Sequence, residues 1–174
     1  MSDFLPTAFA LPEPIRDFVS ISVVDDGPFF IDELFRRRYG SEAPRVPNHV
    51  VAFARTGELL RPICYLHMHR LGDMVLVGGL CTDGDALRTL TPDQQHALRT
   101  AGGIGLNMLR FSFVRFADTE AHVGYCGDAR AFEIDMQAGF RTTQHQYLLI
   151  HTPRPLAPER EAELIARAHA LGPF

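Results

Sequence analysis

The sequence has 174 residues, of which 46% are hydrophobic, and it carries a formal net charge of −4 with a pI near 6.0. A chain of this length and apolar content can build one domain around its own core, which excludes extended disorder. The weakly negative charge gives no general attraction to phosphate backbones or anionic lipids. We therefore expect neither a nucleic-acid nor a membrane partner.

The cysteines and the N-terminal residues indicate the cellular compartment and the domain organisation. The chain has an odd number of cysteines without CxxC spacing, which predicts free thiols in a reducing compartment: Cys64, Cys81 and Cys126. The first residues lack a cationic opening and an apolar run long enough to span a bilayer, so we expect a cytoplasmic protein. Residues 1–14 are rich in proline and lack periodicity. They predict a poorly ordered arm before a single domain over residues 15–174.

The first structural unit is predicted to be a strand followed by a helix. Residues 18–24 alternate as a strand does, and residues 25–28 form a turn that leads into a helix over residues 29–39. Pro28 suits the first helical turn, and Gly40 suits the stop. The basic residues at the end of this helix complement its dipole: Arg36, Arg37 and Arg38.

Three β runs follow between Val50 and Cys81, separated by turn signals around Gly57 and Gly72. This spacing predicts an antiparallel meander. Residues 74–81 are apolar on both faces, as in a central strand that is covered by helices. The middle run carries three side chains on one face, which we expect to line a groove: Tyr65, His67 and His69.

A long helix is predicted to begin at the capping box Thr91-Pro92-Asp93-Gln94. Apolar residues recur from there at helical spacing as far as Phe113, although glycines interrupt the pattern at residues 102–105. A strand over residues 121–126 and a helix over residues 129–138 come next.

The chain then ends in a strand and a helix. Residues 147–151 predict the strand, and residues 159–171 predict the helix. Only about ten residues separate Phe140 from the end of that strand, and we expect the last helix to cover the sheet edge there in place of a long closing hairpin.

The order strand, helix, three-strand meander, long helix, strand, helix, strand resembles that of the GNAT N-acetyltransferase superfamily. The match is sharpest in residues 128–140, where a polar N-cap, an alanine and a closing Gly-Phe bracket a helix: Asp128, Ala131, Gly139 and Phe140. The resemblance implies an α/β (α+β) fold with a mixed, mostly antiparallel sheet flanked by helices. It also implies transfer of an acyl group from acetyl-CoA or another acyl-CoA to an amine of a small molecule or peptide. No metal is expected, and a homodimer is left open.

The family binds the acyl-CoA pyrophosphate with the pattern Gln or Arg, two residues, Gly, one residue, Gly or Ala. If the pattern starts at Thr100, Gly103 and Gly105 occupy both glycine positions, but the first position holds threonine. If it starts at Arg99, the first position holds arginine and Gly102 matches, but Ile104 occupies the last position. The resemblance therefore implies that the cofactor-binding turn contains Thr100, Gly102, Gly103, Ile104 and Gly105. Alternatively, these glycines let one long helix pass close to the sheet.

The resemblance also implies the catalytic groups. In many family members a tyrosine four residues before the Gly-Phe pair protonates the departing thiolate, but this sequence has Asp135 there, and Tyr125 is the candidate substitute. The candidate bases for the amine are Asp83, His67 and His69. The family would further use backbone N–H groups of the fourth strand as oxyanion donors: Gly79, Leu80 and Cys81.

Two other functions stay open. The departures at Thr100 and Asp135 suit a catalytically degraded binding or dimerisation module. His67 and His69 lie two residues apart on a strand and could grip one metal ion, although the sequence assigns no third ligand.

Overall fold

The structure, a computed structural model, describes residues 9–174, and seven strands of these residues form one sheet in the order β1-β2-β3-β4-β5-β7-β6. Neighbouring strands are antiparallel except β4 and β5, which are parallel. The strands are β1 Val19–Val24, β2 His49–Thr56, β3 Leu59–Leu71, β4 Met74–Thr82, β5 Ala121–Tyr125, β6 Arg141–Thr142 and β7 Leu148–His151. The predicted mixed, mostly antiparallel sheet is confirmed.

Helices cover both faces of this sheet. Apolar side chains of α1 and α6 pack on one face, and those of α3, α4 and α5 pack on the other. The helices are α1 Gly27–Tyr39, α2 Gly84–Arg88, α3 Pro92–Thr100, α4 Gly103–Arg115, α5 Ala129–Ala138 and α6 Pro158–Leu171. No helix in residues 9–174 is both long and apolar enough to cross a bilayer.

The predicted helix boundaries hold where a cap specifies them. In α1, Pro28 lies in the first turn and Gly40 ends the helix in the left-handed region at φ 73°. In α5, the Asp128 carboxylate accepts a hydrogen bond from the Ala131 N–H at 2.8 Å, and Gly139 ends the helix at φ 112°. These caps satisfy backbone groups that the helix ends leave unpaired.

The prediction of one long helix after Thr91 is wrong. The capping box is present, but α3 ends at Thr100 and a separate helix, α4, begins at Gly103. Gly102 and Gly103 have φ angles of +83° and +85°, so the backbone leaves the right-handed helical conformation there. Glycine adopts these angles at little steric cost. The Asn107 side chain fixes this break by donating hydrogen bonds to the carbonyls of Ala101 and Gly103.

The expectation that the last helix replaces the closing hairpin is also wrong. β6 has only two residues, so a hairpin with β7 fits into the short segment after Phe140. β6 is therefore the sheet edge. The last helix, α6, packs instead on the face of the sheet through Leu164, Ile165 and Ala168.

Residues 1–8 of the predicted N-terminal arm lie outside the described residues. In the remainder of the arm, the Phe9 ring meets the Phe111 ring edge to face at a centroid distance of 5.9 Å, and Leu11 packs against the main core. This end of the domain is therefore attached to the α4 side of the sheet.

Candidate active site

The central feature of the site is a separation of β4 from β5. Their parallel pairing runs from Met74 opposite Ala121 to Val77 opposite Gly124 and stops there, while β4 continues along β3 to Thr82. The two strands therefore diverge at their carboxyl ends and leave a V-shaped opening in the sheet.

A β-bulge in β4 accompanies this divergence. His67 of β3 lies opposite Gly78 and Tyr65 lies opposite Cys81, so β4 carries one extra residue in this stretch. Gly79 has φ +66°, and a Cβ atom there would lie 2.7 Å from the His67 Nδ1 atom. The bulge therefore requires glycine, and it leaves one residue of β4 unpaired in the ladder.

A cavity of about 260 Å³ fills the opening between the diverging strands. Its walls come from the bulge, from the loop after β5, and from helices on opposite faces of the sheet. The lining includes Arg38, Gly79, Leu80, Tyr125, Cys126, Asp128 and Asp135. Since α1 and α5 lie on opposite faces, residues from both sides of the sheet line the cavity.

The amino end of α4 lies beside this cavity. A Cβ atom at Gly105 would lie 3.8 Å from the Leu80 side chain and 3.7 Å from that of Ile134 in α5. The first turn of α4 therefore lies between the β4 bulge and α5. Its leading N–H groups have no partner within the helix, and with the helix dipole they favour an anion.

This arrangement locates the predicted pyrophosphate residues. Thr100 is exposed at the end of α3, whereas Gly102 and Gly103 form the left-handed break that begins α4. Ile104 and Gly105 are buried in the first turn, so only their backbone could face a ligand. The sequence alternative in which these glycines lie inside one long helix does not occur.

Asp135 lies on the α5 wall of the cavity. Burial raises the pKa of its carboxyl to about 6, because the surroundings disfavour the charged form. The neighbouring Cys126 thiol has its pKa raised to about 12, by burial first and by Asp135 second. Near neutral pH the site thus offers a carboxyl group that is protonated in a minor fraction of molecules and exchanges its proton readily, together with a thiol that stays protonated.

Tyr125 lies on the wall opposite Asp135. Its ring packs toward the apolar cluster under α6, and its hydroxyl is 3.3 Å from the His169 Nδ1 atom. The Phe174 ring meets it edge to face at a centroid distance of 5.3 Å. These contacts hold the phenol at the mouth of the cavity on the α1 and α6 face.

The candidate bases Asp83 and His67 lie outside the cavity lining. The Asp83 carboxylate caps α2 through the N–H groups of Asp85 and Ala86 and pairs with Arg37 at 3.1 Å. The His67 ring packs behind the bulge, where burial lowers its pKa to about 4 and keeps it neutral.

His69 follows His67 on β3, opposite Leu76 of β4. Within residues 9–174, no three His, Cys, Asp or Glu side chains are grouped closely enough to hold a metal ion. These two histidines therefore have no third ligand among the described residues.

Sequence reasoning missed Arg38 as a residue of the site. Of the three consecutive arginines, Arg36 and Arg37 pair with carboxylates away from the cavity, but Arg38 reaches from α1 to Asp128, the N-cap of α5, at 3.3 Å. The dipole at the end of α1 accounts for all three arginines equally, so the sequence held no signal that separates Arg38 from its neighbours.

No protein-family model and no curated protein sequence matches the chain. Among solved structures, the chain is similar to a candidate acetyltransferase of Pyrococcus horikoshii with a TM-score of 0.50, at 11% identity over 72% of this chain and 44% of that one. It spans less than half the length of that archaeal protein.

Two further solved structures have lower TM-scores. A candidate N-acetyltransferase of Lactobacillus plantarum matches with a TM-score of 0.48, at 15% identity over 79% of this chain and 99% of that one. An aminoglycoside 6'-acetyltransferase type Ii matches with a TM-score of 0.49, at 10% identity over 79% and 99%. The sheet order, the separation of β4 from β5 and the likeness to the archaeal structure together show that this chain has the fold of the GNAT N-acetyltransferase superfamily.

Proposed function

We propose that the protein transfers an acyl group from acetyl-CoA, or another acyl-CoA, to an amine of a small molecule or peptide. The observation that carries the proposal is the cavity between the diverging ends of β4 and β5, which adjoins the amino end of α4 and is lined by residues from both faces of the sheet. A donor and an acceptor can therefore meet there from opposite sides.

The donor side is the face that carries α4 and α5. Gly102 and Gly103 have no side chains, so their backbone can approach a pyrophosphate closely, and the unpaired N–H groups of the first turn of α4 point at it. The acyl-CoA arm would then run past Leu80 into the opening beside the bulge. The residues at this end fit the donor that the fold implies.

The transfer step needs charge stabilisation and one proton. As the amine nitrogen bonds to the thioester carbon, backbone N–H groups of the bulge, at Gly79 to Cys81, would stabilise the oxyanion. As the C–S bond breaks, Asp135 would give its proton to the sulfur. We assign this role to Asp135 rather than to Tyr125 because Asp135 lies on the donor face and its raised pKa of about 6 keeps a fraction of its carboxyl protonated near neutral pH.

Direct transfer between two bound substrates fits the cysteines better than a covalent intermediate. Cys126 lines the cavity, but its raised pKa of about 12 keeps it as the thiol, which is a poor nucleophile. Cys81 is buried on the α1 side with its pKa raised to about 12. Neither thiol is prepared to accept the acyl group.

Calorimetric titration with acetyl-CoA and with CoA, followed by thiol release across a panel of primary amines, tests the proposal. We expect saturable binding at one site and amine-dependent release of thiol. Binding without release from any amine would favour a non-catalytic module instead. No binding at millimolar ligand would refute the proposal.

We further propose a cytoplasmic location, and the three free cysteines support it because disulfides are rare in that compartment. Homodimerisation remains a prediction, and light scattering of the purified protein measures it directly.

A further inference from the structure

We propose that His169 of α6 accepts the proton that the acceptor amine must lose, and that it does so through the hydroxyl of Tyr125. This inference rests on the proposed acyl transfer and adds to it the group that prepares the amine. His169 acts through Tyr125, so we treat it as a positioning residue for proton movement and not as one that touches the substrate.

The amine reaches the thioester from the face of the sheet that the donor leaves free. If α4 holds the donor phosphates, the donor occupies the face of α4 and α5, and the thioester is open to attack only from the face of α1 and α6. Tyr125 lies on that second face, packed against the apolar cluster under α6, and it also lines the cavity. Its hydroxyl is therefore beside the path of an incoming amine.

The second step is the partner of that hydroxyl. The Tyr125 oxygen lies 3.3 Å from the Nδ1 atom of His169, so its O–H can donate to the imidazole while its lone pairs remain available to an N–H from the amine. The Phe174 ring meets the phenol edge to face and restricts its orientation. Tyr125 and His169 together form a hydrogen-bonded path from the cavity to α6.

The third step is an outlet for the proton. The His169 side chain is exposed, and its ring stacks on that of His145 with centroids 3.6 Å apart and planes 10° apart. The stack fixes the imidazole so that Nδ1 faces Tyr125, and exposure lets the ring exchange a proton with water. By contrast, the His67 ring packs behind the bulge, is only partly exposed and does not line the cavity.

The acceptor nitrogen loses two protons during the reaction, and each has a named acceptor. An ammonium N–H passes its proton to the Tyr125 oxygen as the Tyr125 proton passes to His169 Nδ1, which leaves a neutral amine, a neutral phenol and an imidazolium. The amine forms the C–N bond, the C–S bond breaks, and the sulfur takes the Asp135 proton. The second proton that the nitrogen loses restores Asp135, and His169 releases its proton to water. One proton thus leaves per protonated amine consumed.

The test uses Tyr125→Phe, His169→Gln and the double variant in the full chain, with His96→Gln as the matched control. His96 is an exposed histidine on α3, on the other face of the sheet. We expect each single variant to lower kcat/KM for the amine by about 100-fold, with the Kd for acetyl-CoA unchanged. The double variant should be no slower than either single variant, because both remove one path.

A second measurement separates proton transfer from a merely structural contact. Glutamine at position 169 can still accept a hydrogen bond from Tyr125, so His169→Gln would retain activity if the contact only held α6 in place. We also expect added imidazole to restore part of the activity of His169→Ala, because position 169 is open to solvent. Retained activity in His169→Gln, additive losses, or no rescue by imidazole would each overturn the inference.

The outcomes distinguish this inference from the proposed function. If the unchanged protein neither binds acetyl-CoA nor releases thiol, the acyl transfer itself is wrong and the proton path is wrong with it. If the unchanged protein turns over and the His169 variants match the His96→Gln control, only the proton path is wrong.

Discussion

Replacing Asp135 by asparagine should make the protein more stable and less active at neutral pH. Burial raises the pKa of this carboxyl from its ordinary 3.8 to about 6, so the folded state holds an ionised carboxylate at pH 7 at a cost. A difference of roughly two pH units corresponds to about 3 kcal/mol. Because the side chain is not fully buried, we expect Asp135→Asn to raise the free energy of unfolding by about 1–3 kcal/mol.

The size of the stability gain depends on pH in a defined way. Below pH 3.8 the carboxyl is protonated in both states, so the substitution should give no gain; the gain should grow between pH 3.8 and about 6 and stay constant above that. Urea unfolding of both proteins at pH 7 and at pH 3.5 measures this difference. Glu133→Gln, an exposed change on the same helix, is the control and should alter stability by less than about 0.5 kcal/mol.

Activity should move in the opposite direction. An amide cannot supply a proton to the thiolate, so we expect kcat for Asp135→Asn to fall by about 100-fold. Both changes have one cause: the buried Asp135 carboxyl lowers the stability of the folded protein and supplies the proton for the transfer step. Equal stability of the two proteins at pH 7, or a gain of the same size at pH 3.5, would refute the reasoning.

Three further predictions follow from the glycines and the buried histidines. Gly103→Val adds a β-branched side chain at φ +85° where the phosphates should lie, so calorimetry should show the Kd for acetyl-CoA rising at least about tenfold; an unchanged Kd contradicts this. Gly79→Ala puts a Cβ atom 2.7 Å from the His67 ring and should cost about 1–3 kcal/mol in urea unfolding, whereas full stability would mean that the bulge does not need glycine. Burial lowers the pKa values of His67, His122 and His151 to about 4, so each takes up a proton near pH 6.5 only when unfolded. Unfolding free energy should therefore fall between pH 6.5 and 4 by up to about 1.4 kcal/mol per pH unit for each histidine, and a flat profile would contradict their burial.

Local sequence signals predicted most of the fold. The turn glycines and the alternating runs between Val50 and Cys81 predicted the meander, since strand alternation and turn chemistry act over a few residues. Asp128 and Gly139 similarly marked the ends of α5, because helix caps satisfy backbone groups within one turn.

The incorrect predictions of the fold occurred where the local sequence signals are ambiguous. Gly102 and Gly103 interrupt an otherwise helical pattern, and glycine tolerates both a helix interior and the left-handed break that occurs here. β6 has two residues, Arg141 and Thr142, which is too short to show any alternation. In both places the outcome depends on packing with distant parts of the chain.

The site was less predictable than the fold because its groups come from separate elements. Arg38 lies in the last turn of α1, Asp135 lies in α5 and His169 lies in α6, and nothing in their neighbouring residues connects them. The raised pKa of Asp135 is likewise a property of its burial in the folded protein, whereas in the sequence it is one more acidic residue on a helix.

A crystal structure of the protein soaked with CoA would show where the acyl donor binds. The account predicts that the pantetheine arm lies between β4 and β5 beyond Val77 and Gly124, and that the pyrophosphate contacts the backbone of residues 102–105 at the start of α4. CoA bound on any other surface, or an opening that stays closed to it at saturating concentration, would contradict the account.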